Sequence, residues 1–240
     1  MHTGYKPTHS SYSMEDVQSG QSTRVLLETT KTERDLGFQM SADLKCHDQA
    51  QVAAAKANRY LGILKNTFVS RDAYLWKKLY TTYVRPQLEY AVPVWSPYMH
   101  KDIDCLEKIQ HRATKIPHSL KSLQYPQRCV EMGLTSLTKR RERGDLIQMF
   151  KFETGIEVIN WHNQPLRIPP LYSHRERFHR EVVRNCEPRH QFFNNRVTTL
   201  WNTLPDTVVQ ARTLNEFKNR LDSYYSLSST VLSTRCILCA

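Results

Sequence analysis

The stretch that decides the fold is residues 48–68, which read DQAQVAAAKANRYLGILKNTF. Its apolar residues recur at steps of three and four, the spacing that places side chains on one face of an α-helix. The recurring positions are Ala50, Ala53, Ala54, Ala57, Tyr60, Leu61, Leu64 and Phe68. A helix of about twenty residues with one apolar face must bury that face against other elements. The stretch therefore predicts a packed, mainly α-helical domain.

The same spacing predicts further helices downstream. The second begins at a Ser70 cap and ends before Pro86, because proline disfavours helical geometry in the residue that precedes it. Later helices are expected over residues 101–115, 126–133 and 136–155, the last one between a Ser136 cap and a stop at a glycine. The side chains expected to face inward are Leu75, Leu79, Tyr83, Ile103, Leu106, Ile109, Gln110, Ala113, Leu137, Ile147 and Phe150.

The rest of the chain is less regular. Residues 1–23 are rich in Ser, Thr, His and Gln, which predicts a loose loop. Short apolar runs at 24–27 and 35–40 predict two strands of a small hairpin. Four prolines between residues 156 and 190 predict an irregular connection that could contain one short strand. The last helix begins with Thr-Leu-Asn-Glu at 213–216, a capping box in which the side chains bond free backbone amides.

These patterns divide the chain into four parts. Residues 1–45 hold the loop and short strands, and residues 46–155 form a helical domain. Residues 156–226 form a connector that ends in the last helix, and residues 227–240 are expected to be a disordered tail.

Positive charge is concentrated in the middle of the chain. The formal net charge is +11, with an isoelectric point near 9.4. It is −2 over residues 1–53, +10 over residues 54–143 and +3 over residues 144–240. Such a local excess favours a polyanionic partner.

Basic residues on the predicted helices are the candidate contacts to phosphates, which favour dispersed cations. The candidates are Lys56, Arg59, Lys65, Lys108, Arg112, Lys115, Lys139, Arg140, Arg141 and Arg143. Each could instead belong to an ordinary solvated helix surface, and only the excess over the whole segment favours nucleic acid.

Motifs for catalysis or cofactor binding are not found in the sequence. Its seven glycines are isolated, so no phosphate-binding loop is predicted. Asp102 and Asp104 stand at a predicted helix start, where acidic residues complement the backbone dipole. Cys236 and Cys239 have the spacing of a zinc pair, but a structural site needs about four ligands. We therefore expect no catalytic residue, metal or cofactor. The sequence has neither a signal peptide nor a membrane span, and we expect the protein inside the cell, in cytoplasm or nucleus.

A series of ordered motifs resembles one known family. The strongest is VRPQLEYAVPVWSP at residues 84–97. The others are ERDLG at 33–37, KANRYLG at 56–62, LEKIQHRATK at 106–115, RERGDLI at 141–147, FNNRV at 193–197, WNTLP at 201–205 and FKNRLD at 217–222. Together they resemble the region that follows the polymerase palm in reverse transcriptases of jockey-like non-LTR retrotransposons. The resemblance covers residues 33–226, with a poor fit over 156–170.

The resemblance implies a truncated piece of a transposable-element RNA-directed DNA polymerase. Its fold would be mainly α: a thumb-like helical bundle preceded by a short β hairpin and followed by an irregular connector and a C-terminal helix. It would bind RNA, DNA or an RNA:DNA hybrid without preference for sequence. In the family the catalytic carboxylates lie in an aromatic-Ala-Asp-Asp turn upstream of residue 1, so we expect no polymerase activity from this chain.

An alternative interpretation is a protein-interaction module or a non-functional retroelement relic. A thumb without its palm loses a packing partner, and apolar residues such as Phe68, Val94 and Trp95 would then be uncovered. Exposed apolar surface would favour this interpretation.

Overall fold

The computed structural model describes residues 1, 10–18, 21–161, 165–169 and 177–237, and within these ranges it describes the backbone alone at residues 16–18, 21–22 and 227–237. The chain is mainly α-helical and begins with short antiparallel hairpins, which confirms the expected fold class. It divides into two units, the first formed by residues 1–90 and 97–128 and the second by residues 91–96 and 129–240.

The elements of the first unit are β1 (Ser13–Gln18), β2 (Gln21–Leu26), β3 (Thr32–Asp35), β4 (Phe38–Ser41), α1 (His47–Thr67), α2 (Ala73–Leu79), a π-helical turn (Tyr80–Val84), α3 (Arg85–Glu89), α4 (His100–Thr114) and a 3-10 turn (His118–Leu120). Helix α5 (Tyr125–Glu131) contains the boundary between the units. The elements of the second unit are α6 (Leu137–Glu153), β5 (Arg167–Ile168), β6 (Arg177–Phe178), α7 (Glu187–His190), α8 (Phe193–Trp201), α9 (Asp206–Val209) and α10 (Leu214–Ile237).

The strand pairing differs from the prediction. A hairpin before the helices is confirmed, but residues 21–26 pair with residues 13–18, inside the expected loop, and not with residues 35–40. Strand β3 pairs with β4 in a separate hairpin. Its two-residue turn is Leu36–Gly37, with φ of 45° and 83°, in the middle of the predicted strand. Tight hairpin turns require positive φ, so Gly37 was the missed signal.

Helix α1 confirms the strongest prediction. It packs against α4, α3 and strand β4, and it buries the residues expected on its inner face except Tyr60 and Phe68, which are partly exposed. The amide of Gln39 in β4 donates to the buried Gln49 Oε1 at 2.8 Å. The alanines allow close approach of neighbouring backbones, so α1 is the central element of the first unit.

The second predicted helix needs two corrections. Its cap is Asp72, whose carboxylate accepts from the Leu75 amide at 2.8 Å, and not Ser70. Pro86 does not end the helix, which continues to Glu89. The π-helical turn lets the Arg85 amide bond the Tyr80 carbonyl just before the proline. Beyond this wider turn Val84 is buried in place of the predicted Tyr83, because the turn shifts the helix face by one residue. Before the turn, Trp76 is buried in place of the predicted Leu75. The buried residues are Trp76, Leu79, Tyr80, Val84 and Leu88.

The second unit has an aromatic core. Phe150 of α6 stacks on Phe217 of α10 at 4.3 Å between ring centroids, and Phe217 stacks on Trp201 of α8 at 5.9 Å. The predicted Ser136 cap is confirmed, since its hydroxyl accepts from the Lys139 amide. The capping box is confirmed as well. Thr213 Oγ1 accepts from the Glu216 amide, and the Glu216 carboxylate bonds the Arg212 amide.

The predicted division at residue 155 differs from the units in the structure. Helix α6 packs against α8 and α10, so it belongs with the C-terminal part and not with α1 and α4. Residues 91–96 also belong to the second unit. Arg196 donates to the carbonyls of Val92 and Pro93 at 3.1 and 2.9 Å. Trp95 is fully buried, contrary to the expectation that it is uncovered, whereas Val94 is 57% exposed.

Helix α10 runs to Ile237, beyond the predicted end at residue 226 and into the expected tail. No proline or glycine follows Pro205, so the sequence contains no residue that would stop it. Within the described ranges, no helix combines the length and the apolar character needed to cross a membrane.

Candidate nucleic-acid interface

A groove of about 660 Å³ in the first unit brings basic side chains together. Its cations are Lys65, Arg71, Arg112, Lys115 and Lys121, and its lining also includes His111 and His118. None of the described residues that line it is acidic. The groove is therefore a concave surface of one charge sign, which attracts polyanions.

Two parallel helices form the walls of the groove. His47 Nδ1, at the beginning of α1, lies 2.6 Å from Asp102 Oδ1 near the beginning of α4. Arg112 Nη1, further along α4, donates to Asn58 Oδ1 of α1 at 3.1 Å. Both helices therefore point the same way, and the groove lies beside their C-terminal halves. Helix C-termini favour nearby cations, so the groove charges also complement the two backbone dipoles.

Arg71 is held firmly at the end of α1. Its guanidinium donates to the carbonyls of Lys65 at 3.1 Å and of Phe68. It also lies over the Trp76 ring, at 5.4 Å from the centroid. These contacts satisfy carbonyls that the helix end leaves free and fix the position of the charge. A cation held in place loses less conformational entropy when it binds an anion.

Helix α4 carries a row of cations along one side. Lys108 lies one turn before Arg112, and Lys115 follows by three residues, so the three side chains share a side of the helix. All three are exposed. Arg112 and Lys115 line the groove, and Lys108 extends its charge toward the middle of α4.

His111 lines the groove, and its surroundings shift its pKa. Burial lowers its pKa, and the positive charges of Arg128 and Lys115 lower it further. Its ring packs on Tyr125 at 4.8 Å, and its Nε2 lies 3.2 Å from Arg128 Nη2. The ring nitrogen therefore accepts a hydrogen bond from the arginine, which requires a neutral imidazole. Near pH 7, His111 adds no charge to the groove.

The structure brings only part of the predicted set together. Lys65, Arg112 and Lys115 line the groove, whereas Lys56 and Arg59 are exposed on other sides of α1. Sequence reasoning missed Arg71 and Lys121, because both lie between helices and not on a periodic helix face. The residues His111 and His118 were not proposed as phosphate contacts either. A search for cations just after helix ends would have found Arg71.

The basic cluster at residues 139–143 is less accessible than expected. The surface position predicted for Arg141 and Arg143 needs correction. Arg141 is 4% exposed, with its guanidinium 5.8 Å from the centre of the Trp95 ring. Arg143 forms two hydrogen bonds to Asp222 at 2.6 and 2.7 Å. The pKa of Asp222 is lowered, first by these bonds and further by the charge of Arg140. Arg141 and Arg143 both make contacts within the second unit, and Lys139 is the exposed residue of this cluster.

The described residues contain no group of three or more His, Cys, Asp or Glu side chains that could hold a metal ion. Asp102, considered as a substitute carboxylate, is buried against His47, and Asp104 is exposed on α4. Of the possible zinc pair, Cys239 and the side chain of Cys236 lie outside what the structure describes. No protein-family model, curated protein or solved structure matches this chain.

Proposed function

We propose that the chain is the C-terminal region of a non-LTR retrotransposon reverse transcriptase and that its first unit binds template-primer nucleic acid without catalysing polymerisation. The observation that carries the binding proposal is the groove beside α1 and α4, which gathers five cations with no acidic residue in its described lining. The ordered motifs over residues 33–226 support the family assignment.

The chemistry of the groove favours phosphates over bases. Lysine and arginine side chains contact the backbone of any sequence, so binding would be tolerant of sequence. Each neutralised phosphate releases condensed counterions, and the logarithm of affinity falls with the logarithm of salt concentration. With up to five contacts, the slope would reach about −4.5 for a duplex and about −3.5 for a single strand.

A matched pair of charge reversals tests the binding site. The double variant Arg112→Glu, Lys115→Glu reverses two groove cations, and Lys56→Glu, Arg59→Glu reverses two exposed cations elsewhere on α1. Both variants lower the net charge by the same amount. We expect the groove variant to bind a fluorescein-labelled RNA:DNA hybrid at least about tenfold more weakly than the control variant, because it loses two phosphate contacts.

Anisotropy titrations at several salt concentrations measure both affinities, and circular dichroism checks that each variant folds. Equal affinities for the two variants would mean that net charge, and not the groove, determines binding. Undetectable binding of the wild-type protein at low salt would contradict the binding proposal altogether.

The catalytic half of the proposal has a separate test. Two-metal polymerases need carboxylates that hold magnesium at the primer end. We expect no extension of a primed template by the purified chain with magnesium and nucleotides. Template-dependent incorporation of nucleotides would contradict this expectation.

A further inference from the structure

The second unit contains an apolar cleft of about 580 Å³. It is lined by residues 93–94, by Phe152 at the end of α6, by residues 159–161, by Glu181 and Arg189, and by residues 192–195. Its lining includes six large apolar side chains, which are those of Val94, Phe152, Ile159, Trp161, Phe192 and Phe193. Val94 and Phe192 are each 57% exposed, so apolar surface at the mouth of the cleft meets water.

The aromatic rings of the cleft are arranged edge to face. Phe152 meets Trp161 at 5.3 Å with an interplanar angle of 81°, and it meets Phe193 at 5.9 Å with an angle of 83°. Rings at right angles present both faces and edges, which is a favourable environment for a further flat ring.

The charged groups of the cleft already bind one another. Arg189 forms an ion pair with Glu181. The Asn195 side chain accepts from the Glu181 amide at 3.0 Å and donates to the Arg189 carbonyl at 3.4 Å. A phosphate or carboxylate in this cleft would have to compete with Glu181 for its cation. The cleft therefore favours an uncharged ligand, and it differs from the groove of the first unit in the chemistry that it can recognise.

We propose that this cleft binds a small, uncharged, planar apolar molecule. Its volume lies within the range of about 300–1,000 Å³ that is typical of small-molecule sites, and such sites are lined mainly by apolar and aromatic side chains. The binding energy would come from removing the ligand and the exposed rings from water.

The uncharged dye N-phenyl-1-naphthylamine is a suitable probe, because its fluorescence rises in apolar surroundings. Trp161 supplies a second readout, since the other three tryptophans, Trp76, Trp95 and Trp201, are at most 1% exposed. We expect saturable binding of one dye per chain, with quenching of tryptophan emission at the same midpoint.

Val94→Trp fills the mouth of the cleft and should weaken dye binding at least about tenfold. Val130→Trp, at a valine of α5 that is 77% exposed and does not line the cleft, is the control and should bind as the wild type does. Phe192→Ala provides a second variant, which removes a ring and should also weaken binding. Equal dye affinity in the wild type and both tryptophan variants, or a signal that does not saturate, overturns the proposal.

Sedimentation velocity tests whether the cleft is occupied by a second copy of the chain and not by a small molecule. A wild-type dimer that becomes monomeric in Val94→Trp would show that the cleft is a self-association surface and would overturn the small-molecule proposal. A monomer in all variants, with dye binding lost only in the cleft variants, supports it.

Discussion

Arginines of the two units stand in different surroundings, although the sequence presents them in similar ways. In the first unit, Arg71 and Arg112 line a groove without a carboxylate in its described lining. In the second unit, Arg143 and Arg196 are paired with Asp222 and Asp145. The density of positive charge along the sequence is highest at residues 139–143, yet that run is largely used for internal contacts. Pairing with a carboxylate, more than local charge density, distinguishes the arginines of the two regions.

The largest expected change in the free energy of unfolding concerns the buried ion pair of Asp145 with Arg196. Its carboxylate is 2% exposed and receives two hydrogen bonds from Arg196 at 2.8 and 3.0 Å. Burial raises its pKa, and the Arg196 hydrogen bonds oppose that rise. Removing the carboxylate would leave a mostly buried guanidinium without its counter-charge. We expect Asp145→Ala to lower the free energy of unfolding by about 3–5 kcal/mol.

The matched control is Asp222→Ala, which breaks the ion pair with Arg143. The Asp222 side chain is about half exposed, so water screens the pair and the expected loss is below about 1 kcal/mol. Urea denaturation followed by circular dichroism measures both variants. Equal losses in the two variants would show that burial does not separate these ion pairs.

A second comparison sets a variant that should affect stability against one that should affect binding. Arg141→Met removes a buried guanidinium that lies over Trp95, and Arg112→Met removes an exposed one in the groove. We expect Arg141→Met to lower the free energy of unfolding by about 1–3 kcal/mol and to leave the affinity for the RNA:DNA hybrid unchanged. Arg112→Met should change stability by less than about 0.5 kcal/mol.

The affinity of Arg112→Met for the RNA:DNA hybrid should instead fall about fivefold or more, which corresponds to about 1 kcal/mol or more of binding free energy. Anisotropy and urea denaturation on the same preparations provide both measurements. A loss of hybrid binding in Arg141→Met without a loss of folded protein would contradict the structural role of Arg141.

These comparisons also show what the sequence could predict. Helix α1 was predicted correctly because the alanine and leucine spacing repeats over five turns, which allows few other arrangements. The Ser136 cap was found because a single local hydrogen bond defines it. In each case the deciding interaction lies within a few residues of the signal.

Predictions failed where a distant partner decides the outcome. The pairing of residues 21–26 with 13–18 depends on which strand is available, and alternation alone does not identify it. Pro86 was expected to end a helix, but the π-helical turn before it lets the helix continue. That turn has no clear pattern in the sequence. Arg141 was assigned to a surface because Trp95 is far away in the chain, and the ion pair of Arg143 with Asp222 was missed for the same reason. Three cations of the groove, Lys65, Arg112 and Lys115, were among the proposed phosphate contacts, because they lie on helices whose faces could be read.

The smallest expected effect concerns His111. Because the folded state lowers its pKa below the ordinary value of about 6.5, the unfolded chain binds a proton first as the solution becomes acidic. The contribution of His111 to stability is therefore complete above about pH 6.5 and is lost as the pH falls toward the lowered pKa of the folded state.

We expect the wild type to lose stability between pH 7 and pH 5 more steeply than His111→Gln, which keeps a polar side chain but does not titrate in this range. The His111 side chain is exposed and only slightly desolvated, so the difference in slope should be small. Urea denaturation at intervals of half a pH unit measures it, with His179→Gln as a control at a histidine of the second unit. A steeper slope in His111→Gln than in the wild type would mean that the Arg128 contact does not favour the neutral imidazole.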